Sequence, residues 1–295
     1  MPAHRLPPWL AAALGGLLGV FVVALLVRLF SSAHPPTRPA QEVPATPEVP
    51  FEAFEEKPPP VVPAPAALHP RRGLALIIDD LGYNRQALAK VFALPGPIAI
   101  AVLPEAPWAK EAVQKAKARG WSVLLHLPLE PKSERYRLRM TPAFLRVAMP
   151  SEEIERRVAA MLDAFPQVVG VNNHMGSRFT EDRRAMRALL EVLARRDLFF
   201  VDSLTSPRSV GIELARKLGL RWARRDLFLD HDPSPQAIAR QWHRALDCAK
   251  TRICIVIAHP YPSTLAWLDA HLRQHRSLLL PAQAALHDPA QEQRR

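Results

Sequence analysis

Cysteine is nearly absent from this 295-residue chain, which has only Cys248 and Cys254, six positions apart. The first falls in a helical pattern and the second inside an apolar strand, so whether they pair depends on geometry and on an oxidising compartment. Glycine is sparse too: neither the fingerprint of dinucleotide sites nor the phosphate loop occurs, which leaves nucleotide cofactors without support. No zinc-finger, helix-turn-helix or aromatic-basic platform is present, and no nucleic-acid partner is expected. No internal repeat is visible. Acids are the minority charge, with 28 Asp and Glu against 39 Lys and Arg and a net charge of +11. From Arg71 onward the count is 23 against 35, so the excess sits on the body of the chain. A basic surface suits anionic partners such as phospholipid headgroups or an acidic cell-wall polymer; the run from Arg183 to Arg196 reads equally well as a solvated helix face.

Charge is missing altogether from Leu6 to Val27, and Trp9 to Val27 are 19 apolar residues. That length matches a bilayer core, which takes about 17–25 helical residues. Ser31-Ser32-Ala33 offers small residues for a signal peptidase, but the apolar run exceeds the roughly 7–15 residues of a cleaved signal, so a retained anchor is favoured. Arg28 and Arg38 follow the run and Arg5 precedes it, which leans toward a cytoplasmic domain. A lone span followed by a proline-rich stalk is nevertheless the pattern of an exported, tethered protein. The expectation is therefore an inner-membrane anchor with the domain on the periplasmic side, or release to the periplasm after cleavage. Four segments follow: 1–33 as anchor or signal, 34–70 as a proline-rich linker that cannot bury enough surface to fold, 71–281 as the folded domain, and 282–295 as a polar tail.

Within 71–281, several apolar runs each end in a polar group. Leu74-Ala75-Leu76-Ile77-Ile78 runs into Asp79-Asp80, and Val123-Leu124-Leu125 into His126. Val168-Val169-Gly170-Val171 leads to Asn172-Asn173-His174, Leu198-Phe199-Phe200-Val201 to Asp202, and Ile253 through Ala258 to His259. Runs apolar at every position read as parallel strands covered on both faces. Carboxyl ends of such strands are where α/β folds build sites. Helical patterns alternate with the runs: Asn84 to Phe92, Pro107 to Arg119, one opened by Ser151 and one by Thr180, Val210 to Leu218, and Pro235 to Lys250. Six or seven strands are expected, counting Ile98 to Leu103 and a short Asp226 to Leu229, and βα repeats of this kind build a parallel sheet.

Six stretches are distinctive when taken in order. They are Ile77-Ile78-Asp79-Asp80-Leu81-Gly82-Tyr83, His126-Leu127-Pro128-Leu129-Glu130-Pro131, Asn172-Asn173-His174-Met175-Gly176-Ser177, Val201-Asp202-Ser203, Phe228-Leu229-Asp230-His231 and Ala258-His259-Pro260-Tyr261-Pro262. From Leu74 to Trp267 the chain resembles the divergent polysaccharide deacetylases, a remote branch of the metal-dependent carbohydrate deacetylases. The resemblance implies a distorted or incomplete (β/α) barrel of the polysaccharide deacetylase type. It implies Asp79 as general base and Asp80 as metal ligand. The group's next motif places a histidine six residues after a helix-ending glycine and a second histidine four residues on. Gly120 and His126 keep the first spacing, but Glu130 stands at the second position. His174 is expected to complete the ligand set instead, and His259 matches the proton donor.

Glu130, Asn173, Ser177, Asp202, His231 and Tyr261 are the further residues expected to support the ligands or bind substrate. The Asn172-Asn173 pair is suited to shaping a turn and orienting an imidazole, and His231 ranks below His174 because its strand is short. His271 and His275 stand four apart on a helix but among Arg273 and Arg276, which oppose a cation. By implication the cofactor is a divalent ion, zinc by preference, and the partner an N-acetylated sugar polymer. Two activities stay open: removal of acetyl groups from an envelope glycan, or a non-catalytic envelope protein using the same groove to bind glycan or a protein.

Overall fold

The computed structural model describes residues 72–289. The expected span and linker therefore lie outside the described residues, within which no helix is long and apolar enough to cross a membrane. Eight strands form one sheet: β1 Gly73–Leu81, β2 Ala99–Val102, β3 Ser122–Leu129, β4 Gly170–Met175, β5 Phe199–Asp202, β6 Trp222–Arg224, β7 Leu227–Phe228 and β8 Ile253–Ala258. Every pairing is parallel, and the order is β6-β5-β4-β3-β2-β1-β8-β7. Sequence neighbours are thus spatial neighbours, except that β6 and β7 form the two edges, which makes the sheet an incomplete parallel barrel. Only Arg225 and Asp226 separate those edges; the Arg225 amide donates to the carbonyl of Asp202, and the Asp226 amide to that of Ile255.

Between the strands lie α1 Arg85–Ala93, α2 Ala109–Ala118, α3 Ser151–Asp163, α4 Arg183–Arg195, α5 Gly211–Lys217 and α6 Pro235–Ala249, with α7 Pro262–His271 after β8. The count exceeds the six or seven strands expected from sequence. The addition is β6, whose three residues, one of them the exposed Arg224, are too few to show a period. Helix starts also differ in detail. Asn84 caps α1 through its side chain as its residue type predicts. Ser151 is already inside α3, makes no capping bond, and follows Pro150. Thr180 lies in a preceding 3-10 turn, and Asp182 caps α4 by accepting from the Ala185 amide. Arginines of α4 and the residue that follows it are drawn into ion pairs, Arg183 with Glu213, Arg195 with Glu155 and Arg196 with Asp163.

Alternation along the strands splits the core into two layers. Leu74, Leu76 and Ile78 of β1, Val123, Leu125 and Leu127 of β3, and Cys254 and Val256 of β8 pack outward under the helices. Ala75, Ile77, Ala99, Ala101, Leu124, Phe199, Val201, Phe228, Ile255 and Ile257 fill the inside. Alanine is frequent there because the interior is narrow, and Gly170 has no side chain because a Cβ would stand 2.4 Å from the Phe199 ring.

Packing continues past Pro281. The Leu280 amide donates to Leu74 at the start of β1, Ala282 joins the inner core, Gln283 bonds Ser122 at the start of β3, and His287 forms a bridge with Trp222 of β6. This strap crosses the end where the strands begin. Cys248 at the end of α6 and Cys254 in β8 form a disulfide, with Cα atoms 5.7 Å apart.

Candidate metal centre

The opposite end of the sheet, where the strands finish, gathers the polar groups. Strict alternation on β1 would send Asp79 inward with Ala75 and Ile77 and turn Asp80 out under the helices. Pairing with β2 is regular to Ile78, then shifts register before Leu81. Asp80 sits at the shift with φ of +56°, in the left-handed region that aspartate visits more readily than most residues. This bulge re-aims the second carboxylate, so that both acids reach the same mouth.

On β3 and β4 no such device is needed. His126 lies in register with Asn172 across the parallel pair, and both point inward, as does His174 two residues on. Asp80 Oδ1 lies 3.1 Å from His126 Nε2 and 2.8 Å from His174 Nδ1. The three donor atoms are mutually within 4.8 Å. The two imidazoles stand edge to face with centroids 5.0 Å apart, and the Phe144 ring packs edge-on to His174.

Asn172, fully buried, fixes the roles of its neighbours. Its Nδ2 donates to both Asp79 oxygens, at 2.8 and 3.0 Å, while its Oδ1 lies 2.8 Å from His126 Nδ1. An amide oxygen only accepts, so Nδ1 of His126 carries a proton, and Nε2 is the nitrogen left to face Asp80 and, in the neutral ring, to offer a lone pair to an ion. The reverse amide orientation would set an oxygen against the Asp79 carboxylate.

Electrostatics at the cluster follow from burial and these contacts. Burial raises the Asp79 carboxyl above its usual value, against the pull of His126 and His259. Burial would raise Asp80 also, but the rings of His174 and His126 hold it well below the usual carboxylate range. For His126 burial works against the charged ring, yet Asp79 and Asp80 push its pKa up. These residues fit a divalent ion. Asp80 Oδ1 is a buried oxygen whose near neighbours are two imidazole nitrogens, a donor set of one carboxylate and two histidines. Tetrahedral ligands at about 2.1 Å from zinc are separated by roughly 3.4 Å, close to the spacings here. The other cluster of potential ligands among the described residues, Asp226 with Cys248 and Cys254, is not comparable, because its sulfurs are bonded to each other.

His259 follows β8 and is buried. Its Nδ1 lies 2.8 Å from Asp230 Oδ1, its backbone amide donates to Asp230 Oδ2 at 2.6 Å, and Thr264 Oγ1 donates to the same oxygen at 2.8 Å. Against the effect of burial, the Asp230 carboxylate pushes the His259 imidazole up to about 9. Tyr261 stacks on His259 with centroids 5.5 Å apart.

The remaining expected residues are placed elsewhere. Glu130 is buried, but its carboxylate accepts from the Val147 amide at 2.8 Å and pairs with Arg178 at 3.1 Å, so it braces two loops beside the site. Asn173 faces away from Asn172, accepting from the Ser203 amide and donating to Met175 and Thr205. Ser177 accepts from the Lys132 amide. Asp202 lies on the outer face, where it accepts from Ser209 Oγ and the Leu204 amide and touches no histidine; burial raises its pKa. His231 is exposed, and Asp230 beside it holds the inward position. His271 and His275 are separately engaged, stacked on Trp267 and edge-on to Trp242.

Sequence reasoning therefore underrated Asn172 and passed over Asp230. The signal for the first was the period of two, which groups Asn172 with His174 and not with Asn173. For the second it was an acid directly after the Leu227-Phe228-Leu229 run.

Comparison with known proteins shows the fold and the family. The chain is 38% identical over 197 residues to the uncharacterized protein YibQ of Escherichia coli strain K12, a match covering 66% of this chain and 61% of that protein. It is 36% identical over 201 residues to an uncharacterized protein of Haemophilus influenzae, covering 68% of this chain and 71% of the relative. The crystal structure of uncharacterized protein ATU2773 from Agrobacterium tumefaciens shares the fold, with a TM-score of 0.69 at 20% identity over 75% of this chain and 91% of that one. Residues 76–285 match the model of the family described as divergent polysaccharide deacetylase, the stretch that carries Asp79, Asp80, His126, His174 and His259, and the chain belongs to that family.

Proposed function

We propose that the protein is a metal-dependent hydrolase that removes N-acetyl groups from a carbohydrate polymer of the cell envelope. The observation that carries this reading is the convergence of Asp80, His126 and His174 on one point, with Asp79 on one side and His259 reached from β8. One carboxylate and two imidazoles leave coordination positions open, as catalytic zinc sites do, and zinc is the ion we assign. A divalent ion held there supplies Lewis-acid polarisation of the acetamide carbonyl and acidification of water.

The chain's own groups do the rest. Asp79, held by two hydrogen bonds from Asn172, takes a proton from the attacking water, and its raised pKa makes it a better base near neutrality than an ordinary carboxylate. The water oxygen bonds to the acetyl carbon, the carbon–nitrogen bond breaks, and His259 hands its proton to the departing amine, leaving acetate and a free amino sugar. Asp230 on Nδ1 keeps the other nitrogen of His259 turned to the site and its ring protonated near pH 7. Acid and base assistance of this kind is worth about 10²–10⁴-fold each.

An extracytoplasmic, membrane-tethered domain fits two features: the uncharged run from Trp9 to Val27 and the disulfide, which persists in oxidising compartments. The test is metal analysis of the full-length protein with acetate release from chito-oligosaccharides and peptidoglycan fragments. One ion per chain and acetate release that both vanish in Asp80→Asn are expected. Glycan binding without acetate release in the metal-loaded protein would replace the enzyme with a binding protein that uses the same groove.

A further inference from the structure

Asn172 stands between the two halves of the centre and touches both. It is the fully buried residue that contacts Asp79 and His126 at once, and it does so with opposite ends of one amide. We infer that Asn172 is a positioning residue that couples the two halves: its oxygen selects the nitrogen by which His126 meets the ion, and its NH₂ group holds Asp79 as the acceptor facing water. The inference deepens the hydrolase reading and rests on it for the Asp79 half alone.

The reasoning is one of matched donors and acceptors. His126 reaches Asp80 with Nε2, at 3.1 Å, only because Nδ1 is occupied by Asn172. A ring freed from that contact can rotate or change tautomer, and either removes the lone pair from the site. Asp79 has the converse need. Its Oδ2 already lies 3.7 Å from His126 Nε2. The two bonds from Asn172 keep the carboxylate beside that ring without its becoming a fourth ligand. Side chains with only one polarity serve one neighbour and not the other: an acid accepts from His126 but repels Asp79, and alanine serves neither. Backbone register makes the arrangement rigid, since Asn172 is paired with His126 in the β3–β4 ladder.

Asn172→Asp and Asn172→Ala separate the two functions. Cobalt(II) titrated into the metal-free full-length protein, read by its visible absorption, reports the ligand half, and acetate release reports the base half. Asn172→Asp is expected to bind cobalt at least as tightly as the parent while acetate release falls about 100-fold or more. Asn172→Ala is expected to lose about 10–100-fold in cobalt affinity as well. Equal cobalt affinity in Asn172→Ala and the parent, or equal losses of both readouts in the two variants, overturns the inference. Long-range proton–nitrogen spectra of the zinc-loaded parent protein supply a measurement free of any folding defect in the variants. They should show His126 protonated at Nδ1; protonation at Nε2 overturns the inference. Should the parent bind cobalt and release no acetate, the hydrolase reading fails by itself, and the cobalt and nitrogen data still decide the role of Asn172 toward His126.

Discussion

At the scale of single residues, Asp80 does two things that substitution can pull apart. Its carboxylate faces both imidazoles, and its backbone occupies the left-handed region. Asparagine tolerates that conformation and alanine does not, at a cost of about 1–2 kcal/mol. Asp80→Asn is expected to abolish metal binding and, by losing the carboxylate's interactions with His174 and His126, to lower the thermal stability of the chelator-treated protein near neutral pH, and Asp80→Ala to lose about 1 kcal/mol more. Equal melting temperatures for the two metal-free variants would show that the bulge carries no strain. His259 gives a prediction in pH. A histidine whose folded pKa is raised to about 9 contributes stability that is fully present below its unfolded value and lost as pH rises through 9. The shift corresponds to something on the order of 3 kcal/mol. Denaturant unfolding of the metal-free protein should accordingly show Asp230→Asn weaker than the parent at pH 6, with the gap closing toward pH 10.

The same residues mark what the sequence revealed of the site. Asp79, Asp80, His126, His174 and His259 all stand at the ends of apolar runs, and the fold brings them to one mouth. The Asp79-Asp80 pair was legible as a candidate ligand and base from its place at the end of an apolar run, but assigning the ligand to Asp80 came through family resemblance, because alternation alone puts it on the wrong face and the bulge that corrects this leaves no compositional trace. Asp202 looked equivalent to the others but ends its strand on the outer face, a matter of parity that a four-residue strand bounded by a loop does not declare.

Elements show a similar division. Strands long enough to be buried on both faces, β1 and β8, were plain in the sequence because nothing polar interrupts them before their last residues, whereas β3 was legible to His126 and runs on to Leu129. β6 and β7, three and two residues long, sit at the seam and take their form from bonds to β5 and β8 more than from local preference. Turn geometry carries the β1–α1 connection. Gly82 has φ of +116°, its carbonyl accepts from the Trp108 amide at 2.9 Å, and a Cβ there would stand 2.7 Å from that of Ala106. Gly82→Ala is expected to cost about 2–3 kcal/mol, seen as a lowered melting temperature with metal affinity reduced too, since the turn follows Asp80 directly. The disulfide closes only the short link from α6 to β8. Loop-closure entropy for so few residues is worth about 2 kcal/mol, so Cys248→Ser with Cys254→Ser should lower stability by no more than that and leave metal binding intact.

For the whole molecule, the proposed ligands come from β1, β3 and β4, so an ion bound by them would tie together strands that are far apart in sequence. An ion that binds only the folded state at a hundred times its dissociation constant adds about 2.7 kcal/mol, and for a domain of this size that raises the melting temperature by about 5–10 °C. The rise should appear on adding zinc to chelator-treated protein and be absent in Asp80→Asn; an equal rise in that variant would place the ion elsewhere. The strap from Leu279 to His287 has a consequence at this scale as well. Side chains fill the barrel's interior, and the strap lies across the end where the strands begin, so the cluster is approached from the mouth where they finish. Under the proposed function, a long glycan would lie across that lip and dip one acetylated sugar at a time, which would suit attack at interior units of a polymer as readily as at its ends.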